Sequence, residues 1–195
     1  GKDSSALAIF MKEKEPDTEI EYFFTDTGKE LPEVYEFLDK MQSNFGINVH
    51  YLTPNTGNTD ESAFDYFHKI NNYYLPSAQA RWCTVNLKLK PFEKWIKPTL
   101  EQGGSITSLV AIRADEDREG YRPSNERVKV RFPFIEYGID KQGVRNILEK
   151  SGLGMPEYYK WRSRSGCTFC FYQQKIEWVN LKEKHPDKFE EAKSY

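Results

Sequence analysis

Apolar positions along the chain fall into short blocks whose spacing alternates between helical and extended. Leu7, Ile9, Phe10 and Met11 predict a helix over residues 4–14, opening at the turn Gly1-Lys2-Asp3-Ser4. Residues 19–25 (EIEYFFT) read as a compact strand. Residues 31–45 carry helical spacing through Val34, Phe37, Leu38 and Met41, with Pro32 suited to a first turn. Residues 48–53 (NVHYLT) read as the next strand. Strands alternating with helices predict a parallel α/β sheet.

Residues 54–79 are rich in Asn, Tyr and Thr and read as a surface excursion with one short helix near residues 64–70. Residues 81–97 have a helical apolar side in Leu87, Phe92, Trp95 and Ile96. Gly103 and Gly104 break that pattern, and residues 108–112 (SLVAI) form another strand. Residues 118–127 are charged and loop-like, and residues 128–134 are a short strand or an extended segment ending at Pro133. A short helix over residues 143–151 turns Val144, Ile147 and Leu148 inward; a loop follows over residues 158–170, then a charged terminal helix over residues 176–195. The fold class is α/β, a doubly wound, mostly parallel sheet with helices on both faces. We divide it into a nucleotide-binding part, residues 1–135, and a helical and loop part, residues 136–195, packed on the same domain.

Composition narrows this only slightly. Lys and Arg total 28 against 30 Asp and Glu, a net charge of -2. That argues against indiscriminate nucleic-acid binding but leaves room for a local basic face. No apolar run approaches the ~20 residues that span a bilayer, so no membrane role is expected. The three cysteines, Cys83, Cys167 and Cys170, are a poor disulfide framework. A Cys-x-x-Cys pair plus one distant cysteine reads as a metal, cluster or redox site in a reducing compartment such as the cytoplasm, or as three buried core thiols.

Gly1-Lys2-Asp3-Ser4-Ser5 is a small polar loop leading into a helix. Its amides, the hydroxyls of Ser4 and Ser5 and the charge of Lys2 suit phosphate; the same residues equally make an ordinary helix cap. Thr25, Asp26, Thr27 and Gly28 end a predicted strand, where α/β folds place ligands. Asp26 suits a ribose or Mg²⁺, or a plain turn before Gly28. Lys88, Arg113 and Arg118 suit phosphate oxygens, or are solvated surface charge.

Five blocks in order make the pattern specific. Gly1-Lys2-Asp3-Ser4 is followed by Thr25-Asp26-Thr27-Gly28, by Arg81-Trp82-Cys83-Thr84 with Lys88, by Arg113-Ala114-Asp115-Glu116 with Arg118, and by Ser165-Gly166-Cys167-Thr168-Phe169-Cys170. This series resembles the phosphoadenosine-phosphosulfate-reductase-like branch of the PP-loop enzymes, with an adenine nucleotide alpha-hydrolase-like fold. The resemblance implies a first strand upstream of Gly1. It implies ATP and Mg²⁺ bound by Gly1, Lys2, Asp3, Ser4, Ser5, Thr25, Asp26, Thr27, Gly28, Arg113 and Arg118, with Lys2, Asp3, Ser4, Lys88 and Arg113 in catalysis. Such enzymes split ATP between its α and β phosphates and adenylate an acceptor oxygen; a sulfur or nitrogen nucleophile then displaces AMP, which carries that oxygen away.

The cysteines choose among branches. No Glu-Cys-Gly-Leu-His tail occurs, and Trp82 stands where adenosine-phosphosulfate reductases carry the first cysteine of a pair. The chain is most similar to the ATP-pyrophosphatase component of bacterial DNA phosphorothioation systems. That resemblance implies Cys83, Cys167 and Cys170 as ligands of a [4Fe–4S] cluster, or of zinc completed by His68, His185 or a group outside the chain. It also implies DNA, a cysteine desulfurase as sulfur donor and the other phosphorothioation proteins as partners. Lys160, Arg162, Arg164 and Lys175, interleaved with Tyr158, Tyr159 and Trp161, are candidates for the DNA face, or a loop that orders the cysteines. A sulfonucleotide reductase and a non-catalytic nucleotide-binding module are the alternatives.

Overall fold

The computed structural model describes residues 1–57, 60–120, 122–164, 166–168 and 170–195. Ser165 and Phe169 of the Gly-Cys-x-x-Cys block lie outside the described residues, as do Asn58 and Thr59 of the surface excursion and Tyr121 of the charged loop.

The chain passes back and forth between two compact units. One comprises residues 1–22, 39–48 and 96–156; the other comprises residues 23–38, 49–95 and 157–195.

In the first unit, α1 (Lys2–Lys14) starts two residues earlier than its apolar spacing suggests, with Gly1 as N-cap. Asp3 and Ser4 therefore lie inside the first turn rather than capping it. Every residue from Ser5 to Met11 is buried. A helix apolar on all sides belongs in the interior, which explains why α1 shows no single stripe. Phe10 meets Phe134 and Tyr137 edge-on, at 6.0 and 5.2 Å between ring centroids. Helix α1 packs on α7 (Lys141–Lys150). Strands β3 (Ile106–Leu109) and β4 (Val128–Arg131) pair in parallel, with Ile106 opposite Val128 and Leu109 opposite Arg131. Strand β3 begins before the expected SLVAI block, and Val110–Ile112 runs beyond it; Ala111 and Ile112 are nevertheless core. After β4, Pro133 opens the short helix α6 (Pro133–Glu136) instead of ending a strand. Asp140 caps α7 by accepting from Gly143 N–H at 2.8 Å.

β1 (Tyr22–Thr25) neighbours β2 (Val49–Leu52), and both are shorter than the sequence suggests. Between them lies α2 (Pro32–Phe45). The second unit adds α3 (Ala63–Ile70), capped by Ser62, whose hydroxyl accepts from Asp65 N–H at 3.1 Å. Helix α4 (Trp82–Thr84) runs through a π-helical segment, Val85–Leu89, into α5 (Lys90–Glu101). A 3₁₀ turn, Glu157–Lys160, stands in the predicted loop. The expected single terminal helix is two, α8 (Lys175–Lys184) and α9 (Pro186–Lys193). They part at His185 because Pro186 has no N–H to continue α8 and suits the first turn of α9. Phe64, Trp82 and Leu87 form a buried cluster joined by Phe67, Trp178 and Tyr195. Among the described residues no helix is long and apolar enough to cross a membrane.

Candidate functional site

At the start of α1, Ser5 N–H makes the first bond of the helical ladder, to Gly1 C=O at 3.0 Å. The amides before it belong to the exposed positive end of the helix. Lys2 Nζ lies 2.7 Å from both carboxylate oxygens of Asp3. Arg113 Nη1 donates to Asp3 Oδ1 at 3.1 Å, and its Nε to Asp115 Oδ1 at 2.9 Å. Glu116 sits 3.4 Å from the same guanidinium and also pairs with Arg118. Arg113 is thus a half-buried cation held by three carboxylates, and the hydrogen bonds to Asp115 and Asp3 push its pKa up against the partial burial. Ser4 is exposed at this helix end, whereas Ser5 is buried. A cavity of about 410 Å³ opens beside Lys2, lined also by Lys141, Gln142, Arg145 and Met155. Three cations border it against one carboxylate, Asp140, which is already engaged in capping α7. Its charge and size suit phosphate groups.

In the second unit the Asp-Thr-Gly segment leaves β1 as a tight turn. Asp26 N–H donates to Leu52 C=O at 3.1 Å. Asp26 Oδ1 accepts from Gly28 N–H at 2.8 Å and from the Tyr35 hydroxyl at 2.9 Å. Gly28 has φ +75°, and a Cβ there would come within 2.9 Å of Ser62 Cβ; both facts call for glycine. Thr27 is buried and donates its hydroxyl to Glu30 Oε1 at 2.9 Å. Burial pushes the Glu30 carboxyl up, against the charge of Lys88 and the Thr27 hydrogen bond.

The chain then joins the cysteine loop directly. Glu30 and Cys167 pair in an antiparallel bridge. Leu31 N–H donates to Gly166 C=O, and Thr168 N–H to Lys29 C=O, each at 2.8 Å. A Cβ at Gly166 would run into the Val34 side chain, so the loop approaches α2 only because residue 166 is glycine. Lys29 is anchored at the same place by Asp65 (2.8 Å) and by Glu191 of α9. The Tyr195 hydroxyl also bonds Asp65.

Cys83 and Cys167 both pack against the Phe64, Trp82 and Leu87 cluster. Cys83 and Cys170 are close enough to interact electrostatically. Burial pushes the Cys83 thiol up, opposed by a Thr84 hydrogen bond and by Lys88. The π-helical segment carries Lys88 toward both Cys83 and Glu30. No disulfide joins the cysteines among the described residues. Thiols of this kind have the donor chemistry of a soft metal or a cluster. Among the described residues, however, no group of three or more Cys, His, Asp or Glu side chains is arranged to hold a metal ion. His185 Nε2 lies 2.8 Å from Glu33 Oε1. His68 is buried beside the rings of Phe64, Tyr73 and Tyr195.

The expected DNA face divides. Arg162 is only 3% exposed and Tyr158 only 1%, so neither belongs to a surface. Arg162 instead donates from Nη2 to Cys167 C=O at 2.6 Å, while its Nε and Nη1 have no partner among the described residues. Burial lowers its pKa, against the pull of Cys167, Cys170, Glu177 and Glu30. Ser163 ties the same turn to α8 through Glu177 Oε1, 2.7 Å from its hydroxyl. Lys160 is exposed and paired with Glu157, whereas Arg164 is exposed over the ring of Tyr172. Lys175 begins α8.

Residues 1–136 match the family model described as the phosphoadenosine phosphosulfate reductase domain. The chain belongs to that family. Its reductase-domain match includes Cys83 and ends before Cys167 and Cys170. The crystal structure of phosphoadenylyl-sulfate reductase from Candida auris, a phosphate complex, is similar with a TM-score of 0.61. The two are 17% identical, and the match covers 86% of this chain and 77% of that one. That likeness establishes the doubly wound α/β fold. An uncharacterized protein of Methanocaldococcus jannaschii is 24% identical over 97% of this chain and 38% of its own length. An uncharacterized nin region protein of Escherichia phage lambda is 24% identical over 83% of this chain and 56% of its own. The chain therefore spans between 38% and 56% of these curated relatives.

Sequence reasoning gave no role to Lys29 or Tyr172, and it placed Arg81 and Glu30 in or beside motif blocks without assigning either a role. Thr27-Gly28-Lys29-Glu30 has the Thr-x-x-Glu spacing at which two such side chains reach each other.

Proposed function

We propose that the chain is an ATP-using sulfur-transfer enzyme whose acceptor is a phosphate oxygen of DNA. The acceptor oxygen attacks the α-phosphorus of ATP, pyrophosphate leaves, and a sulfur nucleophile then attacks the acceptor phosphorus. AMP departs with the original oxygen, so the backbone gains sulfur in its place. Lys2, with the first turn of α1 and the cationic cavity beside it, is suited to the phosphates and to charge developing on pyrophosphate.

The observation that carries this reading is the pairing of the strand-end segment with the cysteine loop. Lys29–Leu31, directly after Asp26-Thr27-Gly28, is hydrogen-bonded to Gly166–Thr168. A segment that the family resemblance assigns to adenosine is thereby one piece with the residues that would handle sulfur. Cys83, Cys167 and Cys170 are the candidate ligands of a [4Fe–4S] cluster or zinc, and a three-thiolate cluster would supply an open iron for a sulfur atom. Arg162, whose Nε and Nη1 have no partner among the described residues, would offset negative charge on the sulfurs of this centre.

The test uses anaerobically purified protein, ATP, a duplex oligonucleotide, a cysteine desulfurase with labelled cysteine, and a dithiol reductant that cleaves the persulfide S–S bond and is itself oxidised to the disulfide. Pyrophosphate release together with label in the DNA supports the reading. Release of sulfite from a phosphosulfate nucleotide, without labelled DNA, transfers the protein to the sulfonucleotide reductases. Consumption of neither substrate leaves a nucleotide-binding module.

A further inference from the structure

We propose that Arg81, Tyr172 and Arg164 form a clamp for a phosphate oxyanion beside the cysteine loop. Arg81 and Arg164 come from separate parts of the chain and converge on one ring. The Arg81 guanidinium carbon lies 5.3 Å from the Tyr172 centroid, and that of Arg164 lies 4.8 Å from it. Arg81 also hydrogen-bonds the Tyr172 hydroxyl and donates from Nε to Ala78 C=O at 3.3 Å.

Two like charges gathered on one ring repel unless an anion joins them. Arg113, Arg118, Arg122 and Arg131 each have a carboxylate partner. Arg81 and Arg164 form no ion pair among the described residues, and both are exposed. Both guanidiniums already rest against the Tyr172 side chain, so less freedom is lost when they bind an anion. Arg164 makes no side-chain hydrogen bond among the described residues. It therefore offers the planar fork of N–H donors that matches phosphate.

The location gives the clamp its meaning. Arg81 stands two residues before Cys83, Arg164 three before Cys167, and Tyr172 two after Cys170. Each cysteine segment contributes one member, and Cys83 and Cys170 themselves interact. A phosphate held here is held next to the thiols. The ligand chemistry is a phosphate oxyanion, from a DNA backbone or from a small phosphosulfate nucleotide. Naming DNA as its source rests on the sulfur-transfer reading above.

The experiment is equilibrium binding to the full chain of two probes, a labelled duplex oligonucleotide and adenosine phosphosulfate, across a range of salt. Arg164→Gln is the cleaner variant; Arg81→Gln and Tyr172→Phe test the other two members, with circular dichroism to confirm folding. Lys193→Gln, an exposed cation already paired with Glu190 and outside the candidate DNA face, controls for general charge. We expect Arg164→Gln to weaken its probe about tenfold and, for DNA, to lower the salt slope by about one. Lys193→Gln should change affinity less than twofold. Loss confined to the oligonucleotide supports the clamp and its DNA source; loss confined to adenosine phosphosulfate supports the clamp while removing DNA as its source. Folded Arg164→Gln that binds both probes like the wild type overturns the clamp, even if the wild type transfers sulfur to DNA. Equal weakening by Lys193→Gln also overturns it.

Discussion

Glu30 and Cys167 face each other across an antiparallel bridge, although 137 positions separate their numbers in the chain. The bridge is flanked on both sides by 2.8 Å backbone hydrogen bonds. It fixes the position of one of the three thiols relative to the turn that leaves β1. The behaviour of that junction is open to direct measurement.

Gly166→Ala should loosen it. The added methyl meets Val34, and overpacking of this kind costs about 1–3 kcal/mol. The urea midpoint should fall, with the slope of the transition unchanged. Alkylation of Cys167 should accelerate, because the loop that shelters it no longer seats on α2. An unchanged midpoint and labelling rate would show that Val34 yields without cost.

Glu30→Gln should change how stability depends on pH. Burial holds the Glu30 carboxyl above its ordinary value in the folded chain. A group raised in this way favours the folded state at low pH, and the advantage is lost as pH rises from about 4 through the raised value. Gln cannot ionise. The variant should therefore gain on the wild type as pH rises across that window and then keep a constant lead. Parallel curves over pH 4–9 would contradict the assignment.

The Lys29 network predicts the opposite trend. Burial would raise Asp65 and Glu191, but the hydrogen bonds and charge of Lys29, joined by Ser62 and Tyr195 at Asp65 and by Lys188 at Glu191, together outweigh it and hold both below the usual carboxylate range. Their contribution is complete above about 4 and is lost as pH falls through the lowered values. Lys29→Met should cost about 1–3 kcal/mol at pH 7, a value reduced from that of a fully buried pair because the carboxylates are partly exposed. The gap to wild type should close in acid. Acid unfolding followed by circular dichroism checks both points.

Cys83→Ser, Cys167→Ser and Cys170→Ser should each lose bound iron or zinc after anaerobic purification, measured as metal per chain. Full retention in any one of them removes that residue from the ligand set. Zinc without iron, from cells competent in cluster assembly, would exclude the cluster.

The sequence revealed elements whose signal is local. Pro32 with Val34, Phe37, Leu38 and Met41 marked α2, and the structure agrees on its extent. The start of α1 was less legible, because burial on every side removes the stripe that would locate its first turn. Pro186 was a visible break that the charged spacing of the terminal segment masked. Arg162 looked like one more surface cation in Lys160-Trp161-Arg162-Ser163-Arg164; its burial depends on Cys167 and Glu177, brought to it by the fold. Lys29 is the extreme case. Its carboxylates lie 36 and 162 residues away, and no window of sequence joins them.

Arg113 gives the start of α1 a particular electrical character. Its guanidinium already carries a full complement of oxyanions from Asp3, Asp115 and Glu116. A phosphate arriving there meets an occupied cation, so it enters by exchange, one oxyanion for another. Asp115, once released, loses the Arg113 hydrogen bond and charge that hold its carboxyl below the usual range, and its affinity for protons rises. Anion capture at Arg113 is in this sense coupled to proton uptake: it should tighten as the solution becomes more acidic, and calorimetry in buffers of different ionisation enthalpy would register the protons.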